Sequence, residues 1–261
     1  MRILITNDDG INAPGLEALL TIAKTVSGKN GEIWTVAPAT EQSGVGHCIS
    51  YNQPSLITEL GPQRFAIQGS PADCVLAGLS YVLKDNPPDL ILSGVNKGNN
   101  SAENTVYSGT VGAAMEGALQ HIPSIALSQF YGPKNVNLEN PFEASLAYAG
   151  SVIKNLLQKG HWNGDGYKTF YNVNFPPVPS ADVKGISVVA QGSRGHNSRF
   201  KLEPVVAPNG RTFLWVKGGP QDIATEEGTD VHANLNGFIS VTPMRCDLTA
   251  HDLIENLKMS I

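Results

Sequence analysis

The chain has few cysteines, and they form no recognisable pattern. Its 261 residues include three, Cys48, Cys74 and Cys246, which are widely spaced and odd in number. No pair has the C-x-x-C spacing or the Cys/His spacing of a zinc site, so neither a disulfide framework nor a zinc centre is indicated. Reduced thiols are typical of a cytoplasmic protein, and we expect this one to be cytoplasmic.

Charge and long apolar runs are also scarce. Only 16% of the residues are charged, against roughly a quarter in typical domains, and the net charge is -5. The chain lacks the basic runs that grip nucleic acid, so we expect no nucleic-acid binding. No stretch approaches the run of about 18 apolar residues that spans a bilayer, and the N-terminal residues lack the pattern of a leader. We therefore expect no membrane association.

Glycine and proline, in contrast, are abundant, with 27 and 17 residues. They separate apolar segments that alternate between strand and helix patterns along the first two thirds of the chain. Strands are predicted at residues 3–5, 33–36, 89–92 and 125–127, and helices at 14–27, 70–83, 109–119 and 141–157. This alternation predicts a three-layer α/β/α fold, Rossmann-like, with a mostly parallel sheet.

The pattern changes after the proline-rich residues 175–179. Strands are predicted at residues 186–189, 212–216 and 238–241, with a hairpin around Asn209-Gly210 and a short helix at 252–258. We therefore expect one functional domain in two parts. Residues 1–175 form the Rossmann-like core that carries the site, and residues 176–261 form a β-rich extension packed on it that serves oligomerisation.

Polar segments follow the predicted parallel strands. Asp8 and Asp9 come directly after the first strand, Ser43 follows the second, and Asn96 follows the third. Loops at the carboxyl ends of parallel strands meet at one edge of the sheet, so these side chains converge. Two carboxylates, a hydroxyl and an amide oxygen form an all-oxygen set that suits Mg²⁺, Mn²⁺ or Ca²⁺.

A fourth segment, Ser108-Gly109-Thr110, precedes a helix of small residues. A helix N-terminus offers free N–H groups and a partial positive charge to an anion, and the hydroxyls add donors. A cation and a helix N-terminus together would clamp a phosphate ester.

Each of these residues also has an ordinary structural interpretation. Asp-Gly is a common turn dipeptide, Ser43 is a loop serine, and Asn96 is suited to an Asx-turn. His47 is either a hydrogen-bonded loop histidine or a neighbour of the site. Asp73 fits a capping box for the helix that begins after Ser70.

Several blocks together resemble the SurE family, the survival protein E nucleotidases. The similarity runs in order from residue 1 to about residue 250, in blocks at residues 2–10, 36–38, 42–47, 69–75, 89–98, 108–111, 229–230 and 240–243. The resemblance implies that Asp8, Asp9, Ser43 and Asn96 bind one divalent cation per subunit. It also implies a 5′-nucleotidase that removes phosphate from nucleoside 5′- and 3′-monophosphates.

Within that assignment, we expect Asp8, Asp9 and Asn96 to be catalytic, and Asn96 and Ser108-Gly109-Thr110 to bind the phosphate. The resemblance further implies a homodimer or homotetramer, with the contact around residues 198–215. The alternative function is a non-catalytic nucleotide- or phosphate-binding regulatory protein.

Three other classes with acidic or glycine-rich turns fit less well. A receiver domain needs a third aspartate where Ser93 stands, and a haloacid-dehalogenase-like phosphatase needs a D-x-D spacing, whereas Asp8 and Asp9 are adjacent. A dinucleotide-binding module needs a glycine-rich turn after the first strand, where this chain has two anions.

Overall fold

The computed structural model describes residues 1–164, 166–198 and 200–260. A nine-stranded, mostly parallel sheet lies at its centre with helices on both faces, and a separate two-stranded sheet lies in the C-terminal part. The three-layer α/β/α fold with a C-terminal hairpin, predicted from the sequence, is confirmed.

The elements follow one another along the chain in the order expected of repeated strand–helix units. The first part contains β1 (Arg2–Thr6), α1 (Pro14–Ser27), β2 (Glu32–Pro38), β3 (Ile57–Gly61), β4 (Arg64–Ile67), α2 (Pro71–Ala77), β5 (Leu90–Lys97), α3 (Asn104–Tyr107), α4 (Gly109–Leu119) and β6 (Ser124–Gln129). The second part contains α5 (Glu143–Lys159), β7 (Phe170–Phe175), β8 (Gly185–Val188), β9 (Lys201–Val206), β10 (Thr212–Lys217), α6 (Asp230–Leu235), β11 (Phe238–Met244) and α7 (Ile254–Lys258).

The strand order of the main sheet is β3-β4-β2-β1-β5-β6-β7-β11-β8. The strands from β4 to β7 are all parallel. β3 is antiparallel to β4, and β11 is antiparallel to β7 but parallel to β8. The segment after residue 175 therefore adds two strands to the main sheet in addition to the separate hairpin.

Alternating side chains on the central strands supply both apolar layers. Ile3 and Ile5 of β1 pack in the cluster that includes residues of α1 and α5, while Leu4 packs on the opposite face with residues of α2 and α4. Because successive side chains of a strand point to opposite faces, this short apolar run can be buried on both sides.

The start of α2 has the predicted capping box. Ser70 Oγ accepts a hydrogen bond from the Asp73 amide at 3.0 Å, and the Asp73 carboxylate accepts one from the Ser70 amide at 2.8 Å. Pro71 occupies the first helical turn, where a missing N–H costs nothing. The structural interpretation of Asp73 is thus confirmed.

The sequence patterns did not predict β3, β4 or β7. β3 is an edge strand with largely exposed residues, so it has little apolar alternation. β7 is fully buried although it contains two asparagines. Asn172 Nδ2 donates to the Asn100 carbonyl at 2.8 Å, and Asn174 Oδ1 accepts from the Asn100 amide at 2.7 Å. The two asparagines interrupt the apolar pattern of β7, so the sequence does not predict a buried strand there. Their polar groups are satisfied by the contact with Asn100.

The predicted C-terminal hairpin is confirmed as β9 paired with β10, with Gly210 at a φ of 79° in the turn. Both strands are exposed along their whole length, including their apolar side chains Leu202, Val205, Val206, Phe213, Leu214, Trp215 and Val216. Residue 199, within the predicted contact region, lies outside the described residues. In the described part of the chain, no helix is both long and apolar enough to cross a membrane.

Candidate active site

The site is built where β1 and β5 end side by side. The two strands are parallel neighbours, with Thr6 opposite Ser93. Asp8 and Asp9 follow β1 directly, and Asn96 lies near the end of β5. The sheet therefore brings residues almost 90 positions apart in the chain to one edge, as the order of strands predicts.

Asp8 is almost completely buried, with 4% of its surface exposed, and it faces the first turn of α4. Its Oδ1 accepts a hydrogen bond from Thr110 Oγ1 at 2.6 Å, and its Oδ2 accepts one from the Thr110 amide at 3.1 Å. Burial raises the pKa of Asp8 from 3.8 to about 6; the Thr110 bonds lower it and the charge of Asp9 raises it. The ionised carboxylate is therefore held in an unfavourable place without a counterion.

A glycine is needed at position 109 because α4 begins so close to this carboxylate. A Cβ atom there would lie 3.0 Å from Asp8 Cβ and 3.0 Å from Pro71 Cγ. Any side chain at position 109 would push Asp8 away from the helix. Gly109 therefore allows the acidic turn after β1 to lie directly against the first turn of α4.

Asp9 lies on the other side of the turn. Its Oδ2 accepts a hydrogen bond from the Lys97 amide at 3.2 Å. Burial raises the pKa of Asp9, the Lys97 amide lowers it, and the negative charge of Glu41 raises it further. In the described part of the chain, neither Asp8 nor Asp9 forms a salt bridge.

Asn96 owes its position to an irregularity in β5. The register with β6 shifts between Ser93 and Asn96. Gly94 lies in this stretch at a φ of 137°, and a Cβ atom there would lie 2.2 Å from the Leu127 carbonyl oxygen. Asn96 Nδ2 donates to the Gly98 carbonyl at 3.0 Å, which directs its amide oxygen elsewhere as an available ligand.

Ser43 lies on an exposed loop that touches Asp8 through its neighbour. The Gln42 amide donates to the Asp8 carbonyl at 2.7 Å, so the loop lies against the acidic turn. The Ser43 hydroxyl itself donates to Glu41 Oε1 at 2.7 Å. Farther along, the Gly46 amide donates to the Tyr107 carbonyl at 2.9 Å, which attaches the same loop to the chain just before α4.

The predicted phosphate clamp lies against Asp8. Ser108 is the N-cap of α4, and its Oγ accepts a hydrogen bond from the Val111 amide at 3.0 Å. Thr110 donates both its amide and its hydroxyl to Asp8. The Thr110 side chain thus orients a carboxylate, and the Ser108 hydroxyl hydrogen remains available to a ligand.

Glu41 and Lys97, to which we assigned no role from the sequence, lie near Asp9. Glu41 is close enough to Asp9 to raise its pKa, the Lys97 amide bonds Asp9, and Lys97 Nζ lies 5.9 Å from the centre of the Tyr131 ring. The Lys97 contact is made by its backbone amide, which leaves no signal in the sequence. His47 Nε2 lies 2.7 Å from Glu116 Oε2, which ties its loop to α4 as the hydrogen-bonded interpretation of His47 expected.

The donor set fits a hard divalent cation. Asp8 and Asp9 both have raised pKa values and, in the described part of the chain, form no salt bridge, although the charge of Lys97 lowers the pKa of Asp9. Asn96, next to the Lys97 amide that bonds Asp9, has its amide nitrogen engaged by the Gly98 carbonyl and its amide oxygen available. Within the described ranges, no group of three or more His, Cys, Asp or Glu side chains is arranged to hold a metal. Carboxylate and amide oxygens are the ligands that Mg²⁺ and Mn²⁺ prefer, so the residues present fit such a cation.

Two cavities differ in their relation to these residues. A cavity of about 370 Å³ lies beside Asp9, between the turn after β1 and Lys97. Another, of about 700 Å³, is lined mostly by apolar groups of α5, β7, β8 and β11 and by none of the predicted site residues. Of these two, the first adjoins the acidic turn through Asp9, and neither is lined by Asp8 or by residues 108–110.

Comparisons with known proteins identify the family of this chain. The family described as Survival protein SurE matches residues 3–198. The chain is 63% identical to 5′-nucleotidase SurE of Jannaschia sp. (strain CCS1), over all of both chains, and 62% identical to that of Roseobacter denitrificans, over 98% of both. The crystal structure of the SurE protein from Aquifex aeolicus superimposes with a TM-score of 0.80 at 36% identity, covering 100% of this chain and 99% of that one.

Proposed function

This chain belongs to the SurE family, and we propose that it is a divalent-metal-dependent 5′-nucleotidase that hydrolyses the phosphate ester of nucleoside monophosphates. The observation that carries the proposal is the buried, uncompensated Asp8 next to Asp9, placed against the first turn of a helix. Burying an ionised carboxylate next to another one is unfavourable for folding and is typical of a functional site, where a bound cation would balance the charge.

Asp8, Asp9, Ser43 and Asn96 would hold one cation per subunit, of which Mg²⁺, Mn²⁺ and Ca²⁺ are the candidates. When bound, the cation supplies acidified water and neutralises charge on the transferring phosphoryl group. To join this set, Ser43 would have to give up its hydrogen bond to Glu41.

The chain's own groups would orient the reactants. Thr110 fixes both oxygens of Asp8, and the Lys97 amide fixes Asp9, so the carboxylates are positioned before substrate arrives. Ser108, Gly109 and Asn96 then face the phosphate. Gly109 allows the close approach, and the Ser108 hydroxyl can donate to a phosphate oxygen.

We test the activity by measuring phosphate release from 5′-AMP and 3′-AMP with Mg²⁺, Mn²⁺ or Ca²⁺. We expect turnover of 5′-AMP, and of 3′-AMP as a second substrate. Asp8→Asn and Asp9→Asn are expected to lose most of the rate while circular dichroism shows an unchanged fold. Near-wild-type turnover in both variants would remove the carboxylates from the mechanism, and binding of AMP without phosphate release would favour the non-catalytic alternative.

The phosphate position has its own test. A crystal soaked in vanadate and a divalent cation should show the vanadate between Ser108-Gly109-Thr110 and the bound cation. An ion bound consistently elsewhere would exclude these residues from the site.

We also propose that residues 1–175 carry the chemistry and residues 176–261 serve assembly into a homodimer or homotetramer. The support is the hairpin of β9 and β10, whose apolar side chains are exposed along both strands. Exposed apolar strands favour pairing with another chain. Light scattering is expected to give at least twice the 27.7 kDa of one chain, and deletion of residues 201–217 is expected to reduce that mass. A monomer at micromolar concentration would refute assembly.

A further inference from the structure

We propose that Tyr107 and Phe200 form an aromatic surface on which the base of the nucleotide stacks. This inference rests on the proposed function and extends it to the recognition of the nucleoside. The two rings meet edge to face, with their centres 4.9 Å apart and their planes at 89°. Each residue is 47% exposed in the single subunit. Phe200 lies at the start of the segment expected at the contact between subunits, so the aromatic surface would lie at the edge of that contact.

The position of Tyr107 relative to the clamp is the first support. Tyr107 is the last residue of α3 and immediately precedes Ser108, the N-cap of α4. Thr110, whose amide and hydroxyl bind Asp8, follows three positions later. Consecutive Cα atoms are about 3.8 Å apart, so Tyr107 lies within about 11 Å of Thr110 along the chain. A nucleoside attached to a phosphate at this clamp has to extend over a neighbouring surface of this kind.

The surroundings of Tyr107 are fixed, which a stacking surface requires. Its carbonyl accepts the Gly46 amide at 2.9 Å, so the loop carrying Ser43 holds it from one side. Phe200 approaches from the opposite segment, at the start of the hairpin. The aromatic pair thus lies where the clamp, the Ser43 loop and the base of the hairpin meet.

A second aromatic pair near the acidic turn is less suitable. Tyr131 packs edge to face with Phe142, but Phe142 is buried and Lys97 Nζ lies 5.9 Å from the centre of the Tyr131 ring. A cation already covers that ring, so a base would have to displace it.

The neighbouring polar side chains are already occupied. Asn104 lies one helical turn before Tyr107, and its Nδ2 donates to Gln221 Oε1 at 2.7 Å, while Gln221 Nε2 donates to the Gly219 carbonyl at 2.9 Å. Stacking rather than hydrogen bonding to the base edge should then dominate. AMP and GMP should benefit alike, and CMP and UMP less, because a pyrimidine offers a smaller stacking area.

The test compares 5′-AMP with ribose 5-phosphate, which has the same ester and no base. Tyr107→Ala is expected to raise KM for AMP by roughly 5- to 150-fold, the range found for loss of one base–aromatic stack. Phe200→Ala should raise it by less, because a base parallel to the Tyr107 ring cannot also lie parallel to a ring at 89° to it. The ratio of kcat/KM for AMP to that for ribose 5-phosphate should fall accordingly. Tyr107→Trp should preserve the ratio, and so should the control Tyr81→Ala, which removes an exposed tyrosine after α2.

An equal loss on both substrates, or an unchanged KM for AMP, would overturn the proposal. A change in oligomeric mass in the alanine variants would assign the pair to assembly and overturn it as well. If wild-type protein releases phosphate from neither substrate with any cation, the proposed function fails. The aromatic surface is then tested by calorimetry, in which AMP is titrated into the protein in the presence of Mg²⁺. Tyr107→Ala must weaken the binding of AMP by the factor expected above for KM, and equal affinities of wild type and variant would refute the proposal.

Discussion

Asp8→Asn should make the metal-free protein more stable while it abolishes activity. Burial raises the pKa of Asp8 from 3.8 to about 6, and a shift of this size corresponds to about 3 kcal/mol of cost for the ionised form at pH 7. Asparagine removes the charge, but it replaces one of the two acceptors of the Thr110 bonds, at a cost of about 1 to 2 kcal/mol. The free energy of unfolding at pH 7 should therefore rise by about 1 to 2 kcal/mol, and Tm by about 2 to 8 °C.

The pH dependence of that difference provides the sharper readout. Because the pKa of Asp8 is higher in the folded than in the unfolded protein, the folded state binds the proton more tightly. The stability that this proton gives is present below about pH 4 and is lost as the pH rises through about 6. Asp8→Asn lacks this loss but keeps the cost of the altered Thr110 bonds, so relative to wild type it should be less stable by about 1 kcal/mol at pH 4 and more stable by about 1 to 2 kcal/mol at pH 7.

The assay is urea unfolding in EDTA at both pH values, followed by circular dichroism. Asp73→Asn serves as the opposite control. Burial raises the pKa of Asp73, but hydrogen bonds from Ser50 and Ser70 outweigh it and hold the pKa below its usual value. That variant should lose about 1 to 2 kcal/mol at pH 7. An Asp8→Asn protein that is less stable than wild type at pH 7, or equally shifted at both pH values, would refute the reasoning.

Two further substitutions probe the positioning of the site, and a third probes the packing of a buried arginine. Thr110→Val removes the hydroxyl that lowers the pKa of Asp8, so the acid limb of the pH profile of kcat/KM should move to higher pH; an unchanged limb would separate Asp8 from the rate. Gly94→Ala places a Cβ 2.2 Å from the Leu127 carbonyl oxygen, and we expect a loss of about 2 to 4 kcal/mol in urea unfolding together with lower activity, whereas wild-type values would contradict the packing. Arg194→Lys cannot reproduce the paired bonds to the Ser101 carbonyl and Asn99, and thermal unfolding should show a loss of about 2 to 4 kcal/mol, with an unchanged Tm as the contrary result.

The sequence predicted those parts of the fold that depend on local signals. Pro14, the Ser70 cap and the small residues of α4 each mark a helix by chain-local chemistry, and the helices begin within two residues of those signals. β7 was missed because Asn172 and Asn174 interrupt its apolar pattern. Their partner is Asn100, about 70 residues away, so no local rule could reveal that they are buried.

The same division holds for the site. Asp8 and Asp9 were predicted because a charged pair directly after an apolar strand is conspicuous. The bond from Thr110 to Asp8 joins residues 102 positions apart, and it turns an expected phosphate donor into a group that orients a carboxylate. The Lys97 contact is made by a backbone amide, which every residue type except proline could supply. Such contacts follow from the tertiary arrangement of β1, β5 and α4 and leave no trace in residue identity.

The most direct test of the central claim is a titration of EDTA-treated wild-type protein with Mn²⁺, in which phosphate release from 5′-AMP and bound metal are measured on the same samples. A single site formed by Asp8, Asp9, Ser43 and Asn96 predicts no activity before the titration. It also predicts a rate that rises in proportion to occupancy and saturates at one ion per subunit. Full activity in the metal-free protein, or a rate that does not follow occupancy, would contradict the account.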